Sequence, residues 1–406
     1  MDCTMKKRRN FMFETISPSG WGLKLPEKRN ARVEELLGYS PEELELRCKN
    51  CVYQFLDSLF DEEAGALRHY YRADVKTFGE LDSGNFLMVI NYLVMYDLYG
   101  DARMLERAES CFDWAYRNTC EIHPMFTWQG GVRDGQKPQE LYVKYTGDAF
   151  LAANALYRRT GNEHYLFCIR QFHNFFKQAR KAGFQYKYHT GTYQWSSKGY
   201  VWQSFGFPLV CYLELYELTQ EKRYLEEAVL WGEQGLRQQA EDGCFYLLDG
   251  EFWNSDLTAP ELRGLCFLSE VTGEQKYLDA AVRFGRWVAA RQREDGSFPI
   301  GIDSDGEICA PNVGPGDMPN IALSMLRLHR DTGEQAFLDC AVRAVRYGLS
   351  LQAAPDGKYP EHLEDPHVKW GFWSWDPLFD HSLSGDQSVH HIRGILFLSA
   401  YLAQEG

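Results

Sequence analysis

No stretch of this 406-residue chain approaches the run of roughly 18 consecutive apolar residues that a membrane helix needs, so no spanning segment is expected. Positive charge is scarce as well. Lys and Arg number 43 against 57 Asp and Glu, a net charge of −14, which argues against nucleic acid or an anionic membrane as the main partner. The N-terminal MDCTMKKRRNFMF is basic, but no apolar segment follows it, so it does not read as a secretory signal; KKRR is read as a solvated tail. No phosphate-cradling glycine loop, nucleophile elbow or dinucleotide fingerprint stands in a usable context, which disfavours kinases, dehydrogenases and α/β-hydrolases. There is no HExxH or comparable ligand spacing. Neither a metal nor a cofactor is called for. The eleven cysteines are scattered, many on apolar helical positions such as Cys111, Cys168, Cys211, Cys266 and Cys340. That usage suits a reduced, cytoplasmic protein employing Cys as a small hydrophobe. Cys48 and Cys51 form the one CxxC, with no second pair and no βαβ pattern to make it a zinc or redox site.

What the sequence has is a repeat. TAPELRGLCFLSEVTGEQKYLDAAVRFGRWVAARQREDG (258–296) reads as two helices and a turn. The first helix is apolar on nearly all sides and stopped by Thr272-Gly273, and the second is amphipathic through Tyr277, Leu278, Ala281, Phe284, Gly285 and Val288. The same turn recurs as YGDARML, TGNEHYL, TQEKRYL, TGEQKYL and TGEQAFL, at Gly100, Gly161, Gln220, Gly273 and Gly333. A steady period of this kind marks a repeated supersecondary module. Five hairpins are placed at about 84–120, 146–182, 204–242, 258–294 and 316–353. A lone helix at about 42–59 and another at about 386–404 supply a sixth pair. Twelve helices, alternately buried and amphipathic, predict an all-α (α/α)6 toroid; an open solenoid would need polar capping repeats. Residues 1–40 are expected to form an arm and 41–406 one toroidal domain.

Turns within hairpins are short, whereas most links between hairpins run to ~15–25 residues, longer than ordinary connections. Each long link leads into an inner helix, so the links should gather at one face, where helix N-termini present free N–H groups. Trp128, Trp195, Trp202, Trp253, Trp370, Trp373 and Trp375 lie in these links and Trp21 in the arm. Aromatics in loops suit a wet cleft where flat rings stack on sugars, or else supply the loops with cores of their own.

Carboxylates recur at the inner-helix starts: Asp82, Asp148, Asp256, Glu261, Asp317 and Asp386. Each suits helix capping. Brought together in one cleft, they would repel one another until one retained a proton at neutral pH, the arrangement glycosidic chemistry uses. Five of the eleven histidines (His362, His367, His381, His390 and His391) fall within 362–391. As helix neighbours, His390 and His391 should face apart, so at most one reaches the cleft as a proton carrier. Lys144, Lys187, His189, Lys198, Arg263, Lys369 and Arg393 are the cations available to an anionic ligand.

Two segments, LDSGNFLMVINYLVMYDLYGDARML and YTGDAFLAANALYRRTGNEHYL, resemble the first two acidic inner-helix starts of the six-hairpin glycosidases, most closely the unsaturated glucuronyl and rhamnogalacturonyl hydrolases. The resemblance implies that Asp82 and Asp148 act on the substrate, one as general acid/base. YVWQSFGFPLVCYLELYEL keeps Gln203 of that group's Arg-Gly-Gln start but lacks the Arg-Gly, a departure that bears on the unsaturated uronide as substrate. The expected function is a glycoside hydrolase acting on an oligosaccharide end, with a uronic acid among the candidate sugars. Asp148, Asp82 and Asp386 are the expected catalytic carboxylates. Trp195, Trp202, Gln203, His189, Tyr145, Trp373, Trp375, His390 and Arg263 are expected to hold the sugar. The alternatives are a sugar epimerase or polysaccharide lyase on the same toroid, and a non-catalytic glycan-binding toroid.

Overall fold

Each of the five recurring turns stops a helix in the left-handed region, with φ of 67° at Gly100, 65° at Gly161, 59° at Gln220, 75° at Gly273 and 74° at Gly333. In every case the N–H of that residue bonds back to the carbonyl four residues earlier, from Gly100 to Tyr96 through to Gly333 to His329, the simple left-handed cap. Gln220 is the one side-chain-bearing residue among them. Its amide offsets the strain by donating to the Tyr216 and Glu217 carbonyls.

The computed structural model describes residues 18–135, 137–247 and 250–405; the KKRR tail and the rest of the arm before residue 18 lie outside them. The first helices are α1 (Ala31–Leu37) and α2 (Pro41–Asn50), the latter continuing through a wide π-helical stretch, Cys51–Leu56, to Leu59. Five hairpins follow: α3 (Asn85–Tyr99) with α4 (Ala102–Thr119), α5 (Val143–Thr160) with α6 (Glu163–Lys181), α7 (Gly206–Thr219) with α8 (Lys222–Gln238), α9 (Ser255–Thr272) with α10 (Gln275–Ala289), and α11 (Asp317–Thr332) with α12 (Gln335–Ser350). The last helix is α13 (Gly385–Glu405).

Burial sorts these helices into two layers. In α3 every residue from Asn85 to Met95 except Leu87 is buried, whereas α4 buries only Met104, Ala108, Cys111, Phe112, Ala115, Tyr116 and Thr119, one face at helical spacing. The odd-numbered helices from α3 to α13 contact one another in sequence, and α13 returns to α3, closing the inner ring. α2 packs on α13 as the sixth outer helix. Its start is fixed by a reciprocal capping box between Ser40 and Glu43, which satisfies two otherwise orphaned N–H groups. Residues 18–40 lie against the same edge, where α1 meets α12 and α13 and the Trp21 ring meets Phe397 edge-on at 5.0 Å. The CxxC cysteines, Cys48 and Cys51, are buried and free. No helix among the described residues is long and apolar enough to cross a membrane.

The long links are more ordered than their turn-rich sequence suggests. Val132–Asp134, Lys137–Tyr142, Lys187–His189 and Gln194–Ser196 form a four-stranded antiparallel sheet. Phe252–Asn254 pairs with Gly301–Asp303, and Tyr70–Arg72 pairs with Ser382–Ser384. These separate small sheets each pair links that are distant in sequence. Two inner helices approach very closely. A Cβ on Gly206, which opens α7, would stand 2.3 Å from the Pro260 carbonyl carbon in α9, so only glycine fits there.

Candidate active site

Three inner helices present the same stripe to the axis of the ring. Lys144, Asp148 and Leu151 on α5 stand at i, i+4 and i+7, as do Asp256, Pro260 and Arg263 on α9, and Asp386, His390 and Arg393 on α13. This spacing places each set on one helical face. All nine residues line one cavity of about 290 Å³. α11 adds Asp317 and Asn320, α7 adds Phe207 and Val210, and α3 adds Leu87, so every inner helix contributes. Trp202, Ile300, Ser374 and Trp375 come from the links and close the top. Leu87, Leu151, Phe207, Val210 and Pro260 supply apolar lining, and the charges run from the helix starts (Lys144, Asp256, Asp317, Asp386) to the third turns (Arg263, Arg393).

The charges are interleaved. Lys144 Nζ lies 2.8 Å from Asp256 Oδ2, joining α5 to α9, and 5.1 Å from the centroid of the Trp202 ring. Asp386 Oδ1 accepts from the Ser384 hydroxyl at 2.5 Å and from the Gln387 N–H at 2.7 Å. Gln387 in turn accepts from the Gly316 N–H, tying α13 to the start of α11. The Ser255 hydroxyl donates to Asp317.

Burial sets the protonation states. It pushes Asp148 up to about 7, with Asp256 and Asp386 adding to the shift and Lys144 and Arg263 opposing it. Burial, reinforced by Asp256, also raises Asp317 well above the usual carboxylate range. Lys144 is held charged by Asp256 in spite of its burial. His390 is driven down to about 3 by burial, with Arg393, Lys144 and Arg263 contributing against Asp386, so its imidazole is neutral. The cavity thus holds carboxyl groups that burial favours in the protonated form and an imidazole that burial keeps neutral. Among the described residues no group of three or more His, Cys, Asp and Glu is arranged to hold a metal ion.

Of the residues expected from sequence, Asp148, Asp386, Trp202, Trp375, His390 and Arg263 line this cavity. The others are not among its lining residues. Asp82 turns to His69, with Nδ1 and Oδ2 2.7 Å apart, and accepts from the Gly84 N–H. Trp195 packs on Phe175 and Tyr188 in the core of the four-stranded sheet. Trp373 is fully buried beside Tyr359 and His362. His189 caps a hairpin turn by accepting from the Gly191 and Thr192 N–H groups. Gln203 donates to the Ser197 and Tyr200 carbonyls, and Tyr145 stands edge-on to Tyr142. The link sheets need cores of their own, and most link aromatics fill them. His391 stacks on Phe372 at 4.1 Å, facing away from the cavity. Sequence reasoning passed over Asn254, Ser374, Asn320 and Gln387, and ranked Lys144, Asp256 and Arg393 below residues that lie outside. The signal available was the repeated KxxxDxxL, DxxxPxxR and DxxxHxxR spacing at the inner-helix starts.

No protein-family model and no curated protein matches the chain. Solved structures do. A cellobiose 2-epimerase from Bacillus thermoamylovorans B4167 superposes with a TM-score of 0.68 at 12% identity, covering 88% of this chain and 99% of that one. A D-mannose isomerase gives 0.67 at 12% identity, over 90% and 97%. The unsaturated glucuronyl hydrolase of Bacillus sp. GL1, which takes part in glycosaminoglycan degradation, gives 0.59 at 16% identity, over 89% and 96%. At these identities the likeness is one of fold, and the chain is an (α/α)6 toroid of the kind these enzymes share.

Proposed function

We propose that this protein is a glycoside hydrolase that removes the terminal sugar of an oligosaccharide by carboxylate acid/base catalysis. The observation that carries the reading is the convergence of Asp148, Asp256, Asp317 and Asp386 from four inner helices on one cavity. At about 290 Å³ it stands at the small end of the roughly 300–1,000 Å³ range of ligand pockets, a size for one ring rather than a polymer. Trp202 and Trp375 offer ring faces to a sugar, and Lys144, Arg263 and Arg393 make a uronic acid the favoured sugar class.

In this reading protonated Asp148 gives its proton to the glycosidic oxygen as the C1–O bond breaks. Asp386, held by Ser384 and Gln387, faces the positive charge that develops at C1. A water molecule then adds its oxygen to C1 and passes its proton to a carboxylate. The chain's fold neighbours include a hydrolase, which supports this reaction class, but also an epimerase and an isomerase.

The neutral imidazole of His390 favours a second reading, epimerisation, in which it would take a proton from a carbon beside a carbonyl. Inverting that carbon needs a second proton carrier on the opposite ring face. Among the described residues His390 is the one imidazole lining the cavity, so Asp148 would have to serve. The test is turnover of saturated and 4,5-unsaturated uronide oligosaccharides, together with neutral ones, by wild type and Asp148→Asn. Release of a free terminal sugar, lost in the variant with folding intact, supports the hydrolase. Conversion to an epimer without cleavage supports the alternative.

A further inference from the structure

The link that carries Trp375 is fixed at both ends, yet it holds one large apolar side chain out in water. At one end, the Asp376 carboxylate receives Lys358 Nζ at 2.7 Å and the hydroxyls of Tyr347 and Tyr359. The backbone of Asp376 pairs with Val313 in both directions. At the other end, Asp380 accepts from the N–H and hydroxyl of Ser382 at 3.0 and 2.8 Å, and its carbonyl accepts from Arg72. Between these anchors Phe379 is 59% exposed. Its ring centroid lies 4.9 Å from that of Trp375, tilted by 41°. Leaving most of a phenyl ring in water forgoes burial energy, and among the described residues Trp375 is the one aromatic ring recorded against it.

Trp375 lines the cavity, and Phe379, in contact with it but outside the lining, is exposed. The cavity has room for one ring, so a second sugar must lie outside it. Tilted aromatic faces are the surface on which the apolar C–H face of a pyranose packs.

Resting on the hydrolase reading above, we propose that Trp375 and Phe379 form the site for the second sugar ring, the one that leaves, and that the natural substrate is therefore at least a disaccharide. Trp375 spans the scissile bond and Phe379 carries the leaving ring. The protein should discriminate against simple glycosides that present no second ring.

The test uses three matched pairs: cellobiose with methyl β-glucoside, α-1,6-mannobiose with methyl α-mannoside, and an unsaturated glucuronyl disaccharide with its methyl glycoside. For the pair the wild type hydrolyses, kcat/KM should favour the disaccharide by about tenfold or more. Phe379→Ala should cut that ratio by about tenfold, mostly through KM, with an unchanged melting curve, and Phe379→Tyr should restore it. A ratio near one in the wild type, or one unmoved by Phe379→Ala, overturns the proposal while leaving the hydrolase reading standing. Absence of cleavage of any pair by the wild type overturns the hydrolase reading, and the second-ring site with it.

Discussion

His69 Nδ1 lies 2.7 Å from Asp82 Oδ2, and this pair explains why the first acidic inner-helix start does not feed the cavity. His69 sits at the edge of the sheet formed by Tyr70–Arg72 and Ser382–Ser384, and its carbonyl accepts from the Gly385 N–H at 3.2 Å. Burial opposes charge on the imidazole, but the hydrogen bond and charge of Asp82, with Asp386 and Asp134 behind them, hold it up at about 9. Because the folded value is raised, the pair stabilises the fold fully below about 6.5, and the benefit disappears as pH rises through about 9. Wild type should therefore exceed His69→Gln in stability by on the order of 1 kcal/mol at pH 6, with the gap closing by pH 10. Urea unfolding of both proteins across that range checks it.

Asp148 carries the opposite linkage. A carboxyl held up at about 7 in the fold ionises near 4 when unfolded, so it costs nothing below pH 4 and costs progressively more as pH rises to 7. Asp148→Asn should gain about 2–4 kcal/mol of stability at pH 7 and nothing near pH 4, while losing about 10²–10⁴-fold in kcat. Denaturant melts at the two pH values, alongside single-substrate kinetics, read both effects. A neutral-pH loss of stability would mean that Asp148 is ionised and structurally paired.

A general acid must be protonated to act. The rate should thus fall above about pH 7, where Asp148 loses its proton. Lys144 pulls that value down, so Lys144→Met should move the alkaline limb to higher pH. The shift of the limb, measured as kcat/KM against pH, separates an electrostatic role for Lys144 from a merely packing one, which would lower the whole profile without moving it.

The fold was legible because its determinants are local. The five turns at Gly100, Gly161, Gln220, Gly273 and Gly333, and the contrast between all-apolar and one-faced helices, are written in neighbouring residues. The expected hairpin at 258–294 differs from α9 and α10 by only a few residues at its ends. The site was legible in part. Asp148, Asp386 and His390 follow from their place at helix starts. Asp82 occupies the same kind of place, but its direction depends on His69, brought in by a strand pair 310–314 residues apart in sequence. Trp195 and Trp373 illustrate the same limit. Nothing local distinguishes an aromatic that lines a cleft from one that fills a sheet's small core, because the difference lies in which links pair with which. The stripe Lys144, Asp148, Leu151 and its counterparts on α9 and α13 was the readable clue to direction.

The most direct test of acid-catalysed hydrolysis is a single reaction run in water enriched in both ¹⁸O and ²H, with the sugar products weighed by mass spectrometry. Hydrolysis through Asp148 requires one ¹⁸O in the released sugar, no carbon-bound deuterium, and loss of the reaction in Asp148→Asn. Deuterium fixed at the carbon beside the anomeric centre of an uncleaved oligosaccharide, abolished in His390→Asn, would contradict it.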